Sequence, residues 1–180
     1  MQLQVGEPAP AFEVTDTEGK PQSLAQYAGQ TVLLAFFRYA ACPLCNLRVH
    51  ELTQRAPLLK QKGLKILAFF ESDSARVAKL IGKHKPPFPL VGDPQRIVYK
   101  QYGVESSWVG FVRGGLSPKI GLALANGFLP GKMENDLALL PADILIGPDG
   151  KVLATFYATD IAHHMPLATL EGLLSSVAVS

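Results

Sequence analysis

The chain has 180 residues and two cysteines, which stand in Cys42-Pro43-Leu44-Cys45. A C-x-x-C spacing serves thiol redox chemistry or half of a metal knuckle. Pro43 suits the first position of a helix, where its missing N–H would have been unpaired anyway. Cys42 then lies at or just before a helix N-terminus, near unpaired N–H groups and the positive end of the dipole. Both features favour thiolate over thiol and lower the cysteine pKa. Cys45 follows one helical turn later, within reach of a disulfide to Cys42. The pair reads as a nucleophile with its resolving partner. That reading needs the two sulfurs close together and open to solvent.

Two plainer readings compete with it. A structural zinc site takes four protein ligands, and no second C-x-x-C exists. The compact candidates for the missing ligands are His163 and His164, but adjacent histidines point apart, and they read better as loop or cap residues before the last helix. The cysteines also suit a purely packing role, since unpaired cysteine is often buried. The strand–turn–helix context favours redox chemistry over both, with no metal and no organic cofactor.

The elements that must position the pair are legible around it. Residues 31–37, Thr-Val-Leu-Leu-Ala-Phe-Phe, form an apolar run that reads as a strand buried on both faces. Leu44, Leu47, Leu52, Ala56 and Leu59 mark a helix after the cysteines, with Pro57 expected to kink or break it and Gly63 to end it. Residues 65–71 read as a second buried strand. Ser72 or Asp73 caps the next helix, whose apolar face is Val77, Leu80 and Ile81. Leu90 and Val91 make a short strand. Asp93-Pro94 offers an N-cap and an N1 proline, predicting a helix from there to Gly103.

Ahead of these lie a short strand around Val14 and a helical turn over 23–29 closed by Gly29. After them, residues 104–139 interrupt the alternation. Trp108, Phe111, Leu116, Ile120, Leu122, Leu124 and Phe128 stand there among glycines, predicting one or two amphipathic helical pieces. They read as a segment packed on the core, or as a lid over the cysteines. Residues 142–146 are another strand, 147–150 a hairpin turn and 151–157 its antiparallel return. Leu167, Leu170, Leu173, Leu174 and Val177 line a C-terminal helix.

Alternating strands and helices predict an α/β fold in a single domain. Apolar content of 48% and charged content of 18% place the chain among globular proteins. A net charge of +2 makes no case for nucleic acid or an anionic membrane surface. No run of eighteen apolar residues appears, so no membrane span is expected. The N-terminus lacks a basic region followed by an apolar block, so a signal peptide is not expected and the cytoplasm is the default compartment.

Several segments resemble the peroxiredoxin-like (AhpC/TSA, redoxin) group of the thioredoxin superfamily. They are Gly6-x-Pro8-Ala9-Pro10-x-Phe12 followed by Asp16-x-x-Gly19, the run Phe88-Pro89-Leu90-Val91-Gly92-Asp93-Pro94 leading to Tyr102-Gly103-Val104, and Pro141 before Ile144-Leu145-Ile146. The resemblance covers nearly the whole chain. It implies a thioredoxin-like fold, a central mixed sheet flanked by helices, with a helical insertion at 104–139 before the cis-proline strand. It implies a thiol-dependent peroxidase in which Cys42 attacks a peroxide and Cys45 resolves, restored by a thioredoxin- or glutathione-type reductant. A thiol–disulfide oxidoreductase acting on protein or small disulfides is the alternative, and a redox-sensing or metal-binding module a second. Pro141 matches the cis-proline that lies beside the sulfurs, and a homodimer is in keeping with such relatives. The pattern also departs from the family. A threonine three residues before the attacking cysteine and a proline seven before are replaced by Tyr39 and Ala35, and Pro141 stands where an activating arginine is usual. Arg38 is placed to supply positive charge to the thiolate, and reads equally as a surface arginine at a strand end. Arg48 and His50 read as solvated or packing residues.

Overall fold

A computed structural model describes residues 1–115, 117–129, 131 and 136–177. Its centre is a five-stranded mixed sheet in the order β5-β4-β3-β6-β7. The strands are β3 (Thr31–Phe37), β4 (Leu64–Phe70), β5 (Leu90–Gly92), β6 (Ala142–Ile146) and β7 (Val152–Tyr157). β3, β4 and β5 run parallel, while β6 and β7 are antiparallel to their neighbours. A small hairpin of β1 (Glu13–Thr15) and β2 (Pro21–Ser23) precedes them.

The central strand is apolar throughout because both of its faces are covered. Leu33, Ala35 and Phe37 point into the layer holding α1 (Pro43–Gln61), α2 (Ser74–Leu80) and α6 (Leu167–Val177). Val32, Leu34 and Phe36 point the other way, toward α3 (Ile97–Gln101) and Tyr102. This is the two-residue alternation of a strand with no solvent face. Across the β3–β4 register, Phe36 stacks on Phe69 at 5.0 Å and Phe37 on Phe70 at 4.8 Å. Each such ring pair contributes about 0.5–1.5 kcal/mol beyond its burial, and together they fix where β3 ends.

The later boundaries follow the sequence with two differences. α1 continues through Pro57 to Gln61, and Gly63 with φ +79° turns the chain into β4. α3 opens at Ile97, three residues later than Pro94 suggests. Arg96 takes a left-handed conformation, φ +56°, and Asp93 instead accepts the N–H groups of Ile97 and Val98 from a distance. Asp73 caps α2 by accepting from Arg76 N–H.

The 104–139 segment supplies α4 (Trp108–Gly115) and α5 (Pro118–Ala125), and α5 lies on α1. Phe111, Ile120, Leu137 and Leu140 pack on the core cluster that contains the cysteines. Leu116 and the side chain of Val177 lie outside the described residues. No helix among the described residues is long and apolar enough to cross a membrane.

Candidate active site

The turn joining β3 to α1 is held at nearly every backbone carbonyl. Arg38 C=O accepts from Glu71 N–H, Tyr39 C=O from Cys42 N–H and Ala41 C=O from Gly131 N–H. Asn46 Nδ2 donates to the carbonyls of both Ala40 and Cys42 at 2.9 Å. Ala40 N–H donates to Ser72 Oγ, and Tyr99 OH to the Phe37 carbonyl at 2.6 Å. A buried turn needs each of these, because an unpaired backbone group there costs about 1–3 kcal/mol. Sequence reasoning missed Asn46, Ser72 and Tyr99. The signal for Asn46 was available: a polar side chain four residues after Cys42 lies over the helix start.

On this turn Cys42 is the N-cap residue of α1 and Pro43 its first helical residue. Arg38 is not a surface arginine. It is 2% exposed, with Nη1 3.5 Å from Cys42 Sγ and Nη2 donating to the Leu137 carbonyl. Its guanidinium lies between the rings of Tyr39, 5.2 Å away, and Phe111, 5.5 Å away. Tyr39, at the threonine position of the family pattern, therefore packs on the arginine.

These neighbours pull the Cys42 pKa down to about 6. The Cys45 S–H hydrogen bond is the largest cause. Burial opposes it, and Arg38 with the N–H groups of Cys45 and Leu44 adds to the lowering. Cys45 moves the other way, well above the ordinary thiol range, because it is buried beside a thiolate. Two thiols pushed apart in this manner divide their roles: one is an anion at neutral pH and the other keeps its proton.

One expectation is corrected. Both sulfurs are close, but neither is open to solvent: Cys42 is 1% exposed and Cys45 2%. Two hollows of about 710 Å³ each lie along Pro87-Phe88-Pro89, and neither is lined by a cysteine. The described residues that lie over the turn come from the 104–139 segment, with Phe111 and Leu137 against Arg38. Gly131 sits so close that a Cβ there would meet Ala41 Cβ at 2.7 Å.

A second correction concerns Pro141. No cis peptide bond occurs among the described residues, so Leu140–Pro141 is trans. The reason is its place in the sheet. Ala142 pairs with both Phe36 and Tyr157, and Pro141 C=O extends that ladder by accepting from Ala158 N–H. A trans bond carries the chain straight into this ladder and is also the intrinsically preferred form.

Of the two readings given for Arg48, solvated or packing, the structure takes the second: the side chain is buried. Its Nη2 donates to the Met165 carbonyl at 2.7 Å and lies 3.8 Å from Asp143 Oδ2. Asp143 is fully buried in β6 and also accepts from Met165 N–H and meets His164 Nδ1 at 3.2 Å. Burial drives the His164 pKa down, against the upward pull of Asp143. His163 meets Asp160 at 2.7 Å. The adjacent histidines thus turn to different carboxylates. His50 is exposed, near Gln54 and the Phe128 ring. Among the described residues no group of three or more His, Cys, Asp or Glu gathers as a metal site.

A mixed sheet whose central strand feeds a C-P-x-C helix N-terminus defines a thioredoxin-fold thiol oxidoreductase. Comparison with known proteins narrows this. The AhpC/TSA family matches residues 5–155, and the chain belongs to that family. It is 29% identical over 110 residues to peroxiredoxin Bcp of Escherichia coli strain K12, covering 60% of this chain and 70% of that protein. Among solved structures it is similar to peroxidoxin BcpB from Mycobacterium tuberculosis, with TM-score 0.70 and 19% identity over 99% of this chain and 98% of the other. It is also similar to a thiol peroxidase from Chromobacterium violaceum, with TM-score 0.68 and 18% identity over 98% and 88% of the two chains. The chain is an oxidoreductase of the thiol peroxidase class.

Proposed function

We propose that Cys42 is the attacking thiolate, Cys45 the resolving thiol and Arg38 the cation that holds the thiolate. The observation that carries this assignment is Arg38 Nη1 at 3.5 Å from Cys42 Sγ, with Cys45 donating to the same sulfur. Cys42 Sγ attacks the nearer oxygen of a hydroperoxide, R–O–OH. The O–O bond breaks, Cys42 becomes the sulfenic acid and R–OH leaves with a proton taken from solvent. Cys45 S–H then condenses with the sulfenic acid, releasing water and closing the Cys42–Cys45 disulfide. A thioredoxin-type dithiol, or two thiols of the glutathione type in turn, reduces it by exchange and leaves as a disulfide.

Because Cys42 is covered, the contacts that Phe111, Gly131 and Leu137 make over the turn have to open before peroxide enters. Steady-state consumption of hydrogen peroxide and of an organic hydroperoxide, coupled to thioredoxin and its reductase, tests the reading. Turnover well above that of a simple thiol is expected; consumption at the simple-thiol rate overturns it. Reduction of insulin disulfides without peroxide turnover would support the disulfide-exchange alternative, which the same buried dithiol can perform.

A further inference from the structure

The cation beside Cys42 is itself held from outside the active-site turn. Arg38 Nη2 donates to the carbonyl of Leu137, a residue of the returning end of the 104–139 segment. That end is pinned by its neighbour Asp136. Asp136 Oδ1 accepts from Ala138 N–H at 2.9 Å, and its N–H reaches Glu71 Oε1 at 3.4 Å. Asp136 Oδ2 meets Arg96 Nη1 at 2.9 Å and Ser106 Oγ. Arg96 then closes the circuit, with Nε 3.4 Å from the same Glu71 Oε1. Glu71 in turn donates its N–H to the Arg38 carbonyl at 3.1 Å. Arg96 makes these contacts from a left-handed backbone, φ +56°, a conformation that a side chain of this size rarely adopts and that holds only where its surroundings fix it.

We propose that Arg96 is a positioning residue for the thiolate: by bridging Glu71 and Asp136 it sets the Leu137 carbonyl, and through it the placement of Arg38 against Cys42. The planar guanidinium suits this, since its Nε and Nη1 face Glu71 and Asp136 along fixed, separate N–H directions. Arg96 is near neither sulfur by any contact of its own, so it acts through Arg38. The inference rests on the assignment of Arg38 and Cys42 given above.

The test is the pH profile of Cys42, followed by ultraviolet thiolate absorbance and by the rate of oxidation by hydrogen peroxide. Arg96→Gln and Asp136→Ala are compared with the parent protein and with Arg38→Met. A rise of about one unit in the Cys42 pKa is expected in both new variants, slowing oxidation about fivefold at about pH 6 and less than about twofold at about pH 8. The sign for Asp136→Ala is decisive. Removing a negative charge lowers a thiol pKa through space, whereas releasing Leu137 and Arg38 raises it. A Cys42 pKa that falls or stays fixed in Asp136→Ala, or a rate lost equally at both pH values, overturns the proposal. Should Arg96→Gln fail to fold, Asp136→Ala alone decides it. Arg38→Met separates the two levels. If it leaves the profile unchanged, the active-site assignment itself fails. If it shifts the profile and Asp136→Ala does not, only the role of Arg96 is lost.

Discussion

Gly131 donates its N–H to the carbonyl of Ala41, 3.3 Å away, so the covering segment rests on the residue just before Cys42. A Cβ at Gly131 would meet Ala41 Cβ at 2.7 Å, closer than real side chains allow. One of the two backbones must move. Gly131→Ala therefore disfavours the closed cover, by about 1–3 kcal/mol on the scale of overpacked contacts. Each 1.4 kcal/mol is about tenfold in the open population. Alkylation of reduced Cys42 by iodoacetamide is expected to speed up about tenfold, with no change in the Cys42 pKa. An unchanged rate would show that this contact does not gate access.

The two cysteines have separable chemistry. Cys42→Ser is expected to abolish peroxide turnover outright. Cys45→Ser is expected to keep the first oxidation and halt there, leaving a sulfenic acid that dimedone labels at Cys42. Loss of the first step in Cys45→Ser together with its survival in Cys42→Ser would reverse the roles. Cys45→Ala removes the side-chain donor that contributes most to the low Cys42 pKa, so its first step should weaken more at low pH than at high pH, which Cys45→Ser, with a hydroxyl in place of the thiol, should not.

Asp143 is the buried carboxylate beside Arg48 and His164, and Arg48 also meets the more exposed Glu51 at 3.5 Å. Removing one partner of a buried ion pair leaves the other uncompensated, at a cost of about 3–5 kcal/mol. Asp143→Ala is expected to lower the urea midpoint accordingly. His164 and Arg48 together hold the Asp143 carboxyl below its ordinary range, against the opposing effect of burial. A carboxyl depressed in the folded state stabilises above its unfolded pKa, and the benefit disappears as pH falls through the folded value. The gap between parent and Asp143→Ala should thus be complete at about pH 6 and close below about pH 4. A gap that does not depend on pH would mean that the carboxylate charge contributes nothing.

Glu71 behaves oppositely. Burial raises its pKa from 4.5 to about 7, with Arg96 pulling only partly against it. A group raised in this way favours the fold below its unfolded pKa and loses that contribution as pH rises through the folded value. A shift of that size corresponds to roughly 3 kcal/mol of pH-dependent stability. Glu71→Gln cannot ionise, so its stability relative to the parent should climb between about pH 4.5 and pH 8. Chemical denaturation across that range checks it, and a flat difference contradicts the raised pKa.

Much of this architecture was written in local pattern. The run from Thr31 to Phe37 announces a strand covered on both faces, and Cys42-Pro43 announces the helix start that follows. Gly29, Gly63 and Gly150 mark turns because the chain there takes positive φ values of 75–79°. Long-range pairing was not written there. Arg38 is followed by Tyr-Ala-Ala and looks like any strand-end cation. Its burial comes from Phe111 and Leu137, more than seventy residues away, which close over it only in the folded chain. Arg48 is similar, because its partner Asp143 belongs to a strand on the far side of β3. Pro141 misled for a related reason. Its neighbours match a cis-proline pattern, but the Leu140–Pro141 bond is trans, the intrinsically preferred form, where the chain enters the β6 ladder.

The central claim is that Cys42 is an anion at neutral pH and spends that charge on a peroxide bond. Titrating Cys42 in the reduced protein, together with its second-order rate of oxidation by hydrogen peroxide and by an organic hydroperoxide, tests it most directly. The account predicts a midpoint near the value of about 6 and oxidation far faster than a simple thiol of equal acidity. A midpoint at the ordinary cysteine value of about 8.5, with oxidation no faster than that of a simple thiol, would contradict it.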